Sequence, residues 1–139
     1  MLPPITTAPI GADPVAAATA LAAELADAYA YHDWSSARRL SPTPEFSDAT
    51  YEQGFGELFH VDLIVVHTEQ VLSVVRLWLA EIANENVRSG VRTSLYCVRW
   101  DVDVERSTIT RVSGRTVKHV GGVVEPTSWS ADATAACGP

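Results

Sequence analysis

At His60 the chain changes its hydrophobic period. Upstream, apolar residues recur every three or four positions; downstream, β-branched and aromatic residues alternate with polar ones. Four such runs, 61–70, 72–83, 91–105 and 108–120, follow one another with only short polar breaks. No helical pattern separates them, so they must pair as an antiparallel meander and cannot form βαβ units. The polar stretch 84–90 and the pair Arg106-Ser107 read as the connecting turns. In the third run Tyr96, Val98, Trp100, Val102 and Val104 face one way, and Cys97, Arg99, Asp101, Asp103 and Glu105 the other.

The segment before His60 reads as helices. Asp13-Pro14 is a start signal, because Asp caps free amides and Pro at the first helical position gives up only an unpaired donor. A helix over 14–31 would bury Leu21, Leu25, Tyr29 and His32. A short second helix over 34–40, capped by Asp33 or Ser35, would end before Pro42 and Pro44. Ser47 opens a third with Tyr51, Phe55, Leu58 and Phe59 on one face. Gly54 and Gly56 each cost it about 1 kcal/mol, so it should be short or distorted. The fold class expected is α+β: N-terminal helices packed on a curved four-stranded antiparallel sheet.

Three segments follow: a Pro-rich linker over 1–12, a domain over 13–120, and a Pro/Ser/Thr/Ala tail over 121–139. The first ten residues have neither a basic region nor a continuous apolar one, so no signal peptide is read there; a linker at the start suggests a piece of something longer. No run reaches the roughly 18 apolar residues of a membrane span. The 139 residues suit one domain, and the net charge of −7, with nine arginines and Lys118 as the single lysine, disfavours nucleic acid and anionic membranes as partners.

The first helix leading into His32-Asp-Trp-Ser-Ser-Ala-Arg-Arg-Leu40-Ser-Pro, with the long strands around Tyr96-Cys-Val-Arg-Trp-Asp-Val-Asp103 and Thr108-Ile-Thr-Arg-Val-Ser113, resembles the nuclear transport factor 2-like superfamily. That cone-shaped fold is shared with ketosteroid isomerase and SnoaL-type cyclases, and the resemblance covers roughly 13–120. Many enzymes of the superfamily place a hairpin between the second helix and the sheet, where 45–59 here reads as helix or loop. In this the chain looks more like the non-catalytic extracytoplasmic members that follow a membrane anchor in actinobacterial kinases, lipoproteins and transport assemblies. The Ala, Val and Arg bias is that of a GC-rich genome.

Candidate chemistry is sparse. Two isolated cysteines make no metal site and match no redox motif; a Cys97–Cys137 disulfide would tether an otherwise polar tail and imply an oxidising compartment. The alternative is a buried free thiol at Cys97 with an incidental Cys137. Asp101 and Asp103, two and four residues after Arg99, share a strand face and could supply a general base if buried, or simply form a solvated face. Arg76, between Val74 and Trp78, could hold a ligand carboxylate or pair with Glu69, Glu81 or Asp101. His60 and Asp62 share a face, but His67 falls on the other, so no metal is expected; no cofactor motif occurs either. His32 beside Asp33 is an acid/base candidate or a cap partner. Tyr29, Trp34, Tyr51, Trp78 and Trp100 could line a ligand cavity or form the core. The superfamily's helix-one tyrosine has its nearest counterpart in Tyr29, but no carboxylate falls on the apolar side of the third strand.

Two functions fit. The first is a non-catalytic extracytoplasmic domain that engages a protein partner or small apolar ligand through a cone pocket, or pairs sheet to sheet as a homodimer. The second is a cofactor-free SnoaL-like enzyme (isomerase, cyclase, dehydratase or epoxide hydrolase) acting by acid/base chemistry on a polycyclic or terpenoid substrate, with Tyr29, His32, Asp101 and Asp103 as its candidate groups. A sealed aromatic core excludes the enzyme; a cavity joining Tyr29 or His32 to a buried carboxylate speaks against the non-catalytic domain.

Overall fold

The computed structural model describes residues 13–42 and 46–139. The expected linker over 1–12 and the helix stop at Pro44 lie outside the described residues. Three helices, α1 (Pro14–Ala30), α2 (Trp34–Leu40) and α3 (Asp48–Phe55), precede four strands, β1 (Leu58–Val71), β2 (Val74–Val87), β3 (Gly90–Asp103) and β4 (Thr108–Gly121). A 3-10 turn (Pro126–Trp129) and helix α4 (Ser130–Ala136) close the chain. The strands form one antiparallel sheet in the order β1-β2-β3-β4, and the fold is α+β.

Each N-terminal helix begins at its expected cap. Asp13 accepts from the Val15 amide at 3.0 Å, Asp33 from Ser36 at 3.1 Å, and Ser47 from Thr50 at 3.2 Å. Leu25 and Tyr29 of α1 are buried in the main core with Leu40, Tyr51, Val75, Leu77, Leu79 and Trp100. Tyr51 closes α3 into this layer, whereas Leu58 and Phe59, expected on the same helix, already belong to β1.

The second strand runs four residues beyond its expected end. Asn84, Glu85 and Asn86 read as turn residues, yet all three pair in register with β3, opposite Thr93, Arg92 and Val91. Their polar groups are satisfied inside the sheet: the Asn84 amide donates to Thr93 Oγ1 at 2.9 Å, and Glu85 accepts from Arg92 Nε at 3.1 Å. The actual turn is Arg88-Ser89, after which Gly90 takes φ +131, a conformation that favours glycine.

The segment after Gly122 is more than a tethered polar tail. Trp129, Ala133 and Cys137 recur every four residues and pack against Ala80, Ile82, Leu95 and Cys97, on the sheet face opposite the N-terminal helices. Thr93 draws the chain onto that face, donating to the Gly122 carbonyl at 2.7 Å and accepting from the Val124 amide at 3.0 Å. Lys118 Nζ lies 2.5 Å from Asp132 and 4.5 Å from the centre of the Trp129 ring. Cys97 and Cys137 form a disulfide across 40 positions, with Cα atoms 4.9 Å apart. The sheet is therefore covered on both faces, by α1–α3 on one and α4 on part of the other.

Candidate active site

Register determines what meets beneath the helices. On β2 the alternation that buries Val75, Leu77 and Leu79 also places Glu81 and Glu85 on the helix-covered face. Glu81 lies opposite Tyr96, Leu79 opposite Val98, Leu77 opposite Trp100, and Trp100 in turn opposite Arg111 of β4. Tyr29 of α1 and Phe55 of α3 stack above this patch, 4.2 Å between ring centres. The space between is a cavity of about 570 Å³ lined by Tyr29, Phe55, Glu81, Tyr96, Trp100 and Arg111, with Glu85, Leu58 and Val98 also on its wall. Its size suits a small organic ligand.

Three polar groups there have environments that alter their chemistry. Burial pushes the Glu81 carboxyl up from its ordinary range to about 7; Arg111 opposes this and Glu85 adds to it. At neutral pH Glu81 is close to half ionised, as a general base or acid requires. Burial likewise raises the Tyr29 phenol, so that it stays protonated; the residue is only 3% exposed and its hydroxyl has no hydrogen-bond partner. Arg111 lies over the Tyr29 and Phe55 rings at 5.4 and 5.2 Å, and its Nε is also buried without a partner. Unsatisfied buried donors cost free energy unless something supplies an acceptor.

Glu85 is differently placed. Its carboxylate accepts from Arg92 Nε at 3.1 Å, Ser94 Oγ at 2.5 Å and Tyr96 OH at 3.0 Å. It anchors the wall and biases Glu81 by its charge. Ser94 Oγ also meets His119 Nδ1 at 2.5 Å, so a continuous hydrogen-bonded chain joins exposed His119 to Tyr96.

Of the residues picked out in the sequence, Tyr29 and Trp100 line the cavity. The others do not, each for a local reason. Trp34 and Tyr51 stack on each other at 5.5 Å, and His32 stacks on Trp34 at 5.1 Å, outside the lining. His32 takes φ +58 at the α1–α2 junction, and its Nε2 lies 2.8 Å from the Leu58 carbonyl, to which it donates. Arg76, Trp78 and Asp101 occupy the opposite sheet face, where Asp101 lies 3.8 Å from Arg76 and 3.3 Å from Arg99, whose guanidinium covers Trp78 at 5.9 Å. Arg76 is thus one of a structural pair. Asp103 makes a turn, accepting from the amides of Glu105 and Arg106 at 3.1 and 3.2 Å. Among the described residues no cluster of His, Cys, Asp and Glu could hold a metal.

Glu81, Glu85, Tyr96 and Arg111 were not singled out for this site. The signal for the two carboxylates lay in the Val75, Leu77, Leu79, Glu81, Ala83, Glu85 alternation, which ends on ionisable groups where apolar ones are due.

No protein-family model matches the chain, and searches of curated proteins and of solved structures return no match. What the cavity does therefore has to be read from its own chemistry.

Proposed function

We propose that this chain is a small cofactor-free acid/base enzyme with a cone of the nuclear transport factor 2-like type, acting on a ring-containing substrate. The observation that carries this reading is the cavity joining the unpartnered Tyr29 hydroxyl to the Glu81 carboxylate. A sealed core or a purely aromatic pocket would have supported a binding module instead.

In this reading the aromatic wall of Phe55, Tyr96 and Trp100 takes the carbon skeleton. Glu81 removes a proton from carbon next to a carbonyl, and the Tyr29 hydroxyl donates to the oxygen on which charge develops. The same carboxylic acid returns the proton at a second position, which isomerises the substrate, or assists loss of water.

The Cys97–Cys137 disulfide supports an extracytoplasmic setting, where such bonds persist. No helix among the described residues is long and apolar enough to cross a membrane. A non-catalytic ligand carrier is the second reading, and the use of Glu85 as a fully hydrogen-bonded wall residue favours it.

Deuterium exchange separates the two. With 1-tetralone in D₂O, the protein should accelerate label uptake beside the carbonyl, and Glu81→Gln should lower that rate by about 100-fold or more. Tyr29→Phe should weaken it while leaving the fold intact. Equal rates for the protein and Glu81→Gln would remove catalysis and leave the carrier.

A further inference from the structure

Arg111 is a cation of the cavity wall whose guanidinium has neither an ion pair nor a hydrogen bond among the described residues. Other arginines around the sheet are engaged: Arg92 with Glu85 at 3.1 Å, Arg99 with Asp101 at 3.3 Å, and Arg115 with the Ala136 carbonyl at 2.5 Å. No carboxylate of the described residues lies within ion-pair distance of Arg111, and its Nε is buried without a partner. Glu81 senses the guanidinium but does not hydrogen-bond to it. Meanwhile the stacked rings of Tyr29 and Phe55, 5.4 and 5.2 Å from the guanidinium carbon, hold the group in place.

A guanidinium fixed at a cavity wall with free donors is built for a planar, two-oxygen acceptor. We propose that the ligand of this cavity carries a monoanionic carboxylate on its ring system, and that Arg111 is the residue that holds it. This rests on the reading of the cavity as a substrate site and names the class of substrate: a carbocyclic or aromatic acid.

Charge balance favours this over the alternatives. Of the charged residues lining the space, Glu85 is compensated by Arg92 and the Arg115 guanidinium donates to the Ala136 carbonyl on the α4 side, which leaves Glu81 and Arg111. A neutral ligand would leave Arg111 without a counter-ion once it displaced water. A phosphate dianion would set two negative charges against Arg111 alone, beside the Glu81 carboxyl. A single carboxylate on Arg111, with a proton taken up by Glu81, leaves the cavity neutral.

That proton gives the proposal a signature of its own. A ligand carboxylate withdraws the influence of Arg111 that lowers the Glu81 value, so binding above about pH 7 requires proton uptake. Affinity should fall by up to about tenfold per pH unit there and level off at lower pH. The titratable and charged groups facing Glu81 are Arg111 of β4, Glu85 of its own strand, Tyr96 of β3 and Tyr29 of α1; Glu85 is held by Arg92, so Arg111 is the cation that acts on Glu81.

The test is calorimetric titration of the full chain with 2-naphthoate and its neutral counterpart 2-naphthamide, between pH 5.5 and 8.5, in buffers of different ionisation enthalpy. The proposal expects 2-naphthoate to bind at least tenfold more tightly at pH 6, with proton uptake above pH 7. It also expects Arg111→Gln to abolish the preference, Arg111→Lys to retain part of it, and Glu81→Gln to remove the pH dependence. Far-UV circular dichroism checks that each variant is folded. Equal binding of acid and amide overturns the carboxylate, a preference that survives Arg111→Gln overturns Arg111 as its holder, and either leaves the catalytic reading standing. Binding of neither compound, together with no acceleration of 1-tetralone exchange, overturns both.

Discussion

Ser94 Oγ stands between two acceptable partners, 2.5 Å from Glu85 Oε1 and 2.5 Å from His119 Nδ1. It has a single proton, and the Glu85 carboxylate can only accept, so Ser94 donates there and must accept from His119. Neutral His119 should therefore carry its proton on Nδ1, the less usual tautomer for a free imidazole. Long-range ¹H–¹⁵N spectra at pH 8 should show this form, and Ser94→Ala should return His119 to the Nε2–H form. An Nε2–H tautomer in the unmodified protein would break the proposed chain from solvent to Tyr96.

Glu81 makes stability depend on pH in an unusual direction for a carboxylate. Its folded value of about 7 lies above the ordinary 4.5, so the folded state holds more protons between these limits and loses stability as pH rises through them. Below about pH 4.5 the two states are equally protonated at this site and no penalty exists. Glu81→Gln should gain stability relative to the natural residue on going from pH 4.5 to pH 8, by about 3 kcal/mol. Urea unfolding curves at the two pH values measure the difference.

The disulfide and α4 act as one unit. Cutting the 40-residue link with Cys97→Ala/Cys137→Ala should lower unfolding free energy by about 4 kcal/mol on the chain-entropy estimate. Hydrogen exchange should then rise first over 126–137, because Trp129 and Ala133 depend on that contact. Intact mass under non-reducing conditions should show no free thiol before the substitution.

Asp103 and Arg76 serve the frame. Asp103→Ala removes two turn hydrogen bonds and should cost about 1 kcal/mol, while Arg76→Met should change stability by less than about 1 kcal/mol, since the Asp101 pair is half exposed. Neither should alter 1-tetralone exchange. A tenfold loss of rate in either would move the reacting centre to the opposite sheet face.

The helices and the order of strands were readable because their signals are local. Asp13-Pro14, Asp33 and Ser47 act within three residues of themselves, and the alternation of β3 needs no partner to be seen. The cavity was not readable in the same way, since Glu85 looks like a turn residue until Arg92, Ser94 and Tyr96 of the next strand satisfy it. Arg111 is one more charged residue in a run until register sets it opposite Trp100. The packing of α4 was obscured by composition: alanine and threonine around one Trp look like solvated tail, and only the spacing of Trp129, Ala133 and Cys137 reveals a buried stripe.

The strand order leaves β4 with one side unpaired, and this fourteen-residue edge carries Arg111, Arg115, Lys118 and His119 but no acidic residue. If two molecules met β4 to β4, they would bring these cations together across an antiparallel junction. Like charges facing across strands disfavour pairing. The edge that borders the cavity thus carries side chains whose charge opposes β4-to-β4 pairing, without shortening the strand.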